Sequence, residues 1–206
     1  MIRSIGTLGL ISALLLAGCG GGGSSSASSG SSTSGGSSSS GGSSSTTPVA
    51  VQMQSAMQKY AQTGATTNFS ISGWIVNNSQ QMNLSGNGSI SVSPAQSNGT
   101  YTDSINVNVN GQSYSTSFQL TAPYASAPAT VSAGQKGTFG NASYSVTADG
   151  ANAVLITVTT TSSTSQATAQ VLTSYKVDTA GNVTLQQIQA QEWANGVEVA
   201  DLNLTF

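Results

Sequence analysis

The stretch Tyr101–Leu120 turns about Asn110-Gly111, and this dipeptide restricts the fold more than any other part of the chain. Asn-Gly favours the two-residue type I′ turn, whose twist matches that of two paired strands because both central residues take positive φ. A two-residue turn fixes the register. Val109 then pairs with Gln112, Val107 with Tyr114, Ile105 with Thr116, Asp103 with Phe118 and Tyr101 with Leu120. Side chains alternate across a strand, so one side of this hairpin collects Tyr101, Ile105, Val107, Tyr114, Phe118 and Leu120. A slip of a single residue would scatter that set over both sides, so the pattern specifies a hairpin with one apolar and one polar side.

Other turns extend the reading. Asn195-Gly196 sets Ala194 against Val197 and Glu192 against Val199. The apolar phase then slips, from Val197 and Val199 to Leu202, Leu204 and Phe206, which predicts a bulge near Ala200-Asp201. Asp149-Gly150 and Asp178–Asn182 mark two more turns, the second pairing Val177 with Val183 and Tyr175 with Leu185. Strands are expected near 68–76, 81–92, 100–109, 112–121, 138–147, 153–161, 167–177, 183–193 and 197–206. Ala122–Gly137, with Pro123 and Pro128, interrupts the succession at a point where the sheet can divide in two.

Ahead of the strands, Thr47 is placed to cap a helix and Pro48 to occupy its first position. Val49, Met53, Met57 and Tyr60 share one stripe with Ala56 beside them, and Gly64 closes the segment. The spacing predicts a helix over 48–62 whose methionine stripe packs on a sheet. The fold class is therefore all-β: an antiparallel meander of about nine strands with one short N-terminal helix. An up-and-down barrel, a half-barrel curled over the helix and a two-sheet sandwich all satisfy the pattern. Residues 48–206 form a single domain in this reading, since a chain of about 160 residues buries enough surface for a core without disulfides.

Residues 20–47 are Gly and Ser except for Ala27, Thr33, Thr46 and Thr47. Nothing apolar is available there to offset the backbone entropy lost on ordering, so the segment reads as a flexible linker. Its r.m.s. span as a Gly-rich coil is roughly 30 Å.

The N-terminal segment carries a second, independent signal. Met1–Ser4 contains Arg3, and Ile5–Ala17 is an uncharged run. As a helix that run would reach only about 20 Å, short of a hydrocarbon core, so it matches an export signal better than a membrane span. The residues that follow, Leu16-Ala17-Gly18-Cys19, resemble the lipobox of bacterial lipoprotein precursors. The resemblance implies that residues 1–18 are a signal peptide and that Leu16, Ala17 and Gly18 fit the signal peptidase. It also implies that Cys19, the one cysteine of the chain, becomes the first mature residue and takes a diacylglyceryl group. By the same family chemistry the anchor is three acyl chains of the palmitate type, a firm hold where one chain is marginal. Gly20, standing where an inner-membrane retention signal would place aspartate, implies the outer membrane, on its periplasmic or surface side.

Composition narrows the chemistry. The chain has no histidine, four Lys and Arg, six Asp and Glu, and a formal charge of -2. It offers no basic patch for a phosphate backbone, so nucleic acid is not an expected partner. Without histidine, Ser-His-Asp and Cys-His catalysis are excluded, and a zinc site lacks its usual ligands. No serine stands three residues before Lys59, Lys136 or Lys176, so the SxxK pattern is absent. Neither a calcium loop nor a phosphate cradle is present, and no metal or cofactor is expected.

The acid/base material is Asp103, Asp149, Asp178, Glu192, Glu198 and Asp201. Asp149 and Asp178 fall in turns, where aspartate serves the backbone. A glycosidase pair would have to combine Glu192 with Asp103 or Asp201. Trp74 and Trp193 are expected in the core, with sugar stacking as the functional alternative. The expected function is a non-catalytic binding or structural module held to the membrane through its lipid anchor, with a protein or glycan partner left open. The alternative is a carrier or chaperone for a lipid or other apolar ligand, the sheet curled about a cavity and the helix acting as lid. A solvent-filled apolar cavity would favour the carrier; a filled core with a flat Asn/Thr-rich side would favour the binding module.

Overall fold

A computed structural model describes residues 48–77, 79–93, 100–121, 126–140 and 142–206. The residues read as a signal peptide, Cys19 and the Gly/Ser segment read as a linker lie outside these residues. The elements in chain order are β1 (Ala50–Val51), α1 (Met53–Thr63), β2 (Ala65–Asn77), β3 (Gln80–Ser93), β4 (Thr100–Val109) and β5 (Gln112–Thr121). There follow β6 (Val131–Ser132), β7 (Lys136–Phe139), β8 (Ala142–Ala148), β9 (Ala153–Ser163), β10 (Ala167–Asp178), β11 (Val183–Ala194) and β12 (Val197–Thr205).

Ten strands form one antiparallel sheet in the order β5-β4-β3-β2-β12-β11-β10-β9-β8-β7, while β1 and β6 make a separate two-stranded ribbon. The sheet ends in two edge strands, β5 and β7, and is not a closed barrel. It is the predicted all-β meander with one short helix. Two runs of hairpins, β2 to β5 and β7 to β12, meet where β12 pairs with β2, for example Leu204 with Ile71 and Leu202 with Gly73. The segment read as a possible division of the sheet instead carries the chain between the two runs. Its described part contains β6, and the sheet stays whole.

The Asn-Gly turns behave as their backbone preferences require. Asn110 and Gly111 have φ of 50° and 80°, and Asn195 and Gly196 have 50° and 79°. The register around Asn110-Gly111 matches expectation at all the pairs from Val109↔Gln112 to Tyr101↔Leu120. Val177↔Val183 and Tyr175↔Leu185 are also found.

The second Asn-Gly hairpin differs in one respect. Ala194 pairs with Val197 as expected, but Glu192 pairs with Ala200 rather than Val199. The bulge anticipated near Ala200-Asp201 falls at Val199, the residue left over between the pairs Trp193↔Glu198 and Glu192↔Ala200. It accounts for the slip of apolar phase, because Ala200, Leu202 and Leu204 all become buried.

The helix is shorter than expected and starts later. It begins at Met53 with Gln52 in the cap position, not at Pro48. Tertiary pairing overrides the Thr-Pro signal: β1 binds β6 through Ala50↔Ser132 and Val51↔Val131, and the Ala133 amide donates to the Val49 carbonyl at 3.0 Å. Gly64, with φ 68°, ends the helix where expected.

Packing follows from the alternation. One side of the sheet carries Phe69, Ile71, Leu84, Ile90, Val107, Val154, Ile156, Val158, Val171, Val177, Ile188, Leu202 and Leu204, all buried in one cluster. Helix α1 lies against β3 and β11 on this side, and the β1–β6 ribbon lies over β8 and β9. Met53 and Met57 are each 0% exposed, so the methionine stripe fills the space it faces. Burial of such side chains contributes about 1.5–3 kcal/mol apiece.

Candidate functional site

The opposite side of the sheet is polar, and its residues are tied together across the strands. Asn106 Oδ1 accepts from Ser115 at 2.6 Å, Thr66 and Ser91 hydroxyls meet at 2.9 Å, and Thr157 and Ser174 at 3.1 Å. These are neutral cross-strand pairs that both stabilise the ladder and fix side-chain direction. Next to the β4–β5 hairpin the same side bends into a groove of about 580 Å³, with Asn68, Asn87, Ser89, Asn106, Asn108 and Ser113 among its walls. Phe69, Gly88 and Val107 line it as well, so its amide and hydroxyl groups stand beside apolar ones.

At the centre of the sheet the pattern changes to glutamine against acid. On β11, Gln187, Gln189 and Gln191 donate from Nε2 to Asn203 Oδ1 at 2.8 Å, Asp201 Oδ1 at 3.1 Å and Glu198 Oε1 at 3.0 Å. Each glutamine reaches diagonally, since its direct partners on β12 are Thr205, Asn203 and Asp201. The bulge at Val199 makes the third contact possible. Residues three apart on a regular strand point to opposite sides; the extra residue turns Glu198 onto the same side as Asp201.

Both tryptophans belong to this polar side. Trp74 stands on β2 between Asp201 on β12 and Asn83 on β3, and Trp193 stands on β11 between Thr168 on β10 and Glu198 on β12. Both are half-buried and neither enters the core, contrary to the expectation from size and hydrophobicity. Parity explains the correction: Trp74 alternates with the core-side Ile71 and Ile75, and Trp193 with Ile188 and Ala190. The chain is held close at this point by Gly73, whose φ is 150° and at which a Cβ would collide with the Asp201 carbonyl oxygen.

The sequence-predicted candidates separate into groups. Leu16, Ala17, Gly18 and Cys19 lie outside the described residues. Asp103 stands in β4 opposite Phe118 and Val92. Asp149 forms an ion pair with Lys176 at 2.8 Å, both side chains more than 40% exposed at 44% and 42% for Lys176 and Asp149. Asp178 closes the β10–β11 turn, accepting from the Asn182 backbone amide at 2.8 Å and from its side-chain Nδ2 at 2.7 Å. These bonds, the side-chain one first, hold the Asp178 carboxyl below its ordinary value.

Glu192 and Asp201 are not brought together. Asp201 bonds Gln189 on the polar side, whereas Glu192 alternates with Gln191 and so points to the other side of the sheet. Glu198 and Asp201, by contrast, share the polar side. Among the described residues no group of three or more His, Cys, Asp or Glu is arranged to hold a metal ion. Within the same residues no helix is long and apolar enough to cross a membrane.

Sequence reading overlooked the glutamine ladder, although Gln187-x-Gln189-x-Gln191 carries the two-residue period of a solvent-facing strand. No family model, curated protein or solved structure matches the chain.

Proposed function

We propose that the chain is a non-catalytic binding module, tethered to a bacterial envelope by acyl chains on Cys19, and that the polar side of the ten-stranded sheet is the surface it presents. One observation carries this reading: the two sides of the sheet are divided in role. Helix α1 fills the apolar side, where Met53 and Met57 are 0% exposed, so that side serves as core. The polar side holds neutral amide and hydroxyl groups, a groove and two half-buried tryptophans. Such groups recognise a partner by hydrogen bonds and ring contacts. The lipobox resemblance supports the anchor, and the Gly/Ser linker gives a reach of roughly 30 Å from the lipid.

Native mass spectrometry of the full chain extracted in detergent, beside a Cys19→Ala form, tests the reading. The expected result is a mature chain beginning at Cys19 with the added mass of its acyl groups, no such mass on the variant, and no apolar ligand retained by either. An unacylated mature chain would remove the tether. A lipid retained by the Cys19→Ala form would favour the carrier instead.

A further inference from the structure

We infer that the strip running from Trp74 across Asp201 and Glu198 to Trp193 is a binding site for a neutral oligosaccharide. This deepens the binding-module reading and rests on it. Three independent features converge on the strip. The first is the pair of tryptophans on one side of the sheet, where Ser, Thr, Asn and Gln predominate and the other large apolar residues are Val76, Leu155 and Leu172. A half-buried indole exposes a rigid ring surface at low entropic cost, and the C–H face of a pyranose is its natural partner.

The second is spacing. Trp74 and Trp193 are separated by one intervening strand, β12, and are offset by about two rungs, since Trp74 pairs with Asp201 and Trp193 with Glu198. Standard strand geometry puts their Cα atoms about 12 Å apart, the reach of roughly two to three linked sugar rings.

The third is what lies between them. Asp201 and Glu198 are each held by one glutamine amide, at 3.1 and 3.0 Å, and each carboxylate offers a second oxygen to a sugar hydroxyl. The bulge at Val199 costs a regular rung of the ladder, and its effect is to place Glu198 beside Trp193 on this side. A regular strand would have put Glu198 on the core side. The charge of the strip selects the ligand: two carboxylates with no cation among their hydrogen-bond partners accept from hydroxyls and repel uronates or phosphorylated polymers.

Trp74 and Trp193 are the only tryptophans in the chain, so intrinsic tryptophan fluorescence reports on this strip alone. The full chain is titrated with cellohexaose, maltohexaose and chitohexaose, with hexagalacturonate as the acidic control. The expected result is a saturable change in emission with at least one neutral hexasaccharide and none with the acidic one. Isothermal calorimetry on Trp74→Ala and Trp193→Ala is expected to show binding weakened about tenfold each, and weakened less in Trp74→Phe and Trp193→Phe. Asp201→Asn, which keeps an oxygen for Gln189, is expected to weaken binding several-fold without unfolding the strip, and it decides the matter if an alanine form does not fold. Silence with every neutral hexasaccharide, equal binding of hexagalacturonate, or unchanged affinity in Asp201→Asn and both phenylalanine forms overturns the inference. A silent titration of a chain that also retains no lipid overturns the glycan assignment alone, whereas a lipid retained by the Cys19→Ala form overturns the binding-module reading.

Discussion

The ring of Phe69 covers Gly88, its cross-strand partner: a Cβ at Gly88 would stand 2.5 Å from Phe69 Cζ and 2.5 Å from the Asn106 carbonyl oxygen. Phe69 in turn tilts against Phe206, with ring centroids 5.2 Å apart. The glycine is thus part of the core packing of a strand that would otherwise prefer a side chain. Gly88→Ala is expected to destabilise the fold by about 1–3 kcal/mol through overpacking. Chemical denaturation checks it, and a Gly88→Ala form as stable as the parent would mean that Phe69 moves aside freely.

Met57 is 0% exposed on the sheet-facing side of α1. Met57→Ala should leave a cavity that the helix and sheet cannot both close, with a loss of about 2–5 kcal/mol. Urea unfolding measures the loss. A cost near zero would show that α1 contributes little to the core.

The Asp178 carboxyl is held below its ordinary value of 3.8 by the Asn182 side chain and backbone. A depressed folded value stabilises the ionised form, so the contribution is fully present above the unfolded value and disappears as pH falls through the folded one. Asn182→Ala is therefore expected to be less stable than the parent at neutral pH, with the gap narrowing in acid below about pH 4. Thermal midpoints measured across that range test it; a gap that is constant with pH would remove Asp178 as its source.

Lys176 and Asp149 form a 2.8 Å ion pair, yet both remain more than a third exposed, at 44% and 42%. Screening and side-chain entropy leave such pairs worth little. Lys176→Met should change stability by less than about 1 kcal/mol, and the change should shrink as salt rises. A large, salt-independent loss in denaturant titrations would contradict this.

Much of the architecture was legible because hairpin registers are local. Asn110-Gly111 and Asp178–Asn182 each dictated the pairs beside them, and alternation then assigned the apolar residues to one side. What escaped was decided by partners distant in sequence. Thr47-Pro48 reads as a helix start, but Val49 and Val51 are drawn into a ribbon with Val131 and Ala133, and no local signal announces that pairing. The order of strands across the join at β2 and β12 was equally invisible, because it depends on a contact between distant segments. For the site, the tryptophans were visible as residues, but their side of the sheet was obscured by ranking them on hydrophobicity when strand parity was the better guide. The pairing of Glu192 with Asp201 failed for the same reason, since the bulge was anticipated one residue away from Val199, and that residue decides which acid faces which way.

The seam between β2 and β12 has a kinetic consequence. Each hairpin run can zip from its own turns, but the two runs become one sheet only when Ile71 finds Leu204 across most of the described chain. Closing so large a loop is slow compared with forming a hairpin. In pulse-labelled hydrogen exchange the amides of this seam are expected to gain protection last, after those flanking Asn110-Gly111. Until they do, the molecule is two half-formed pieces with sticky inner margins, and its passage to the folded state is most exposed to aggregation at the middle of the sheet rather than at its edges.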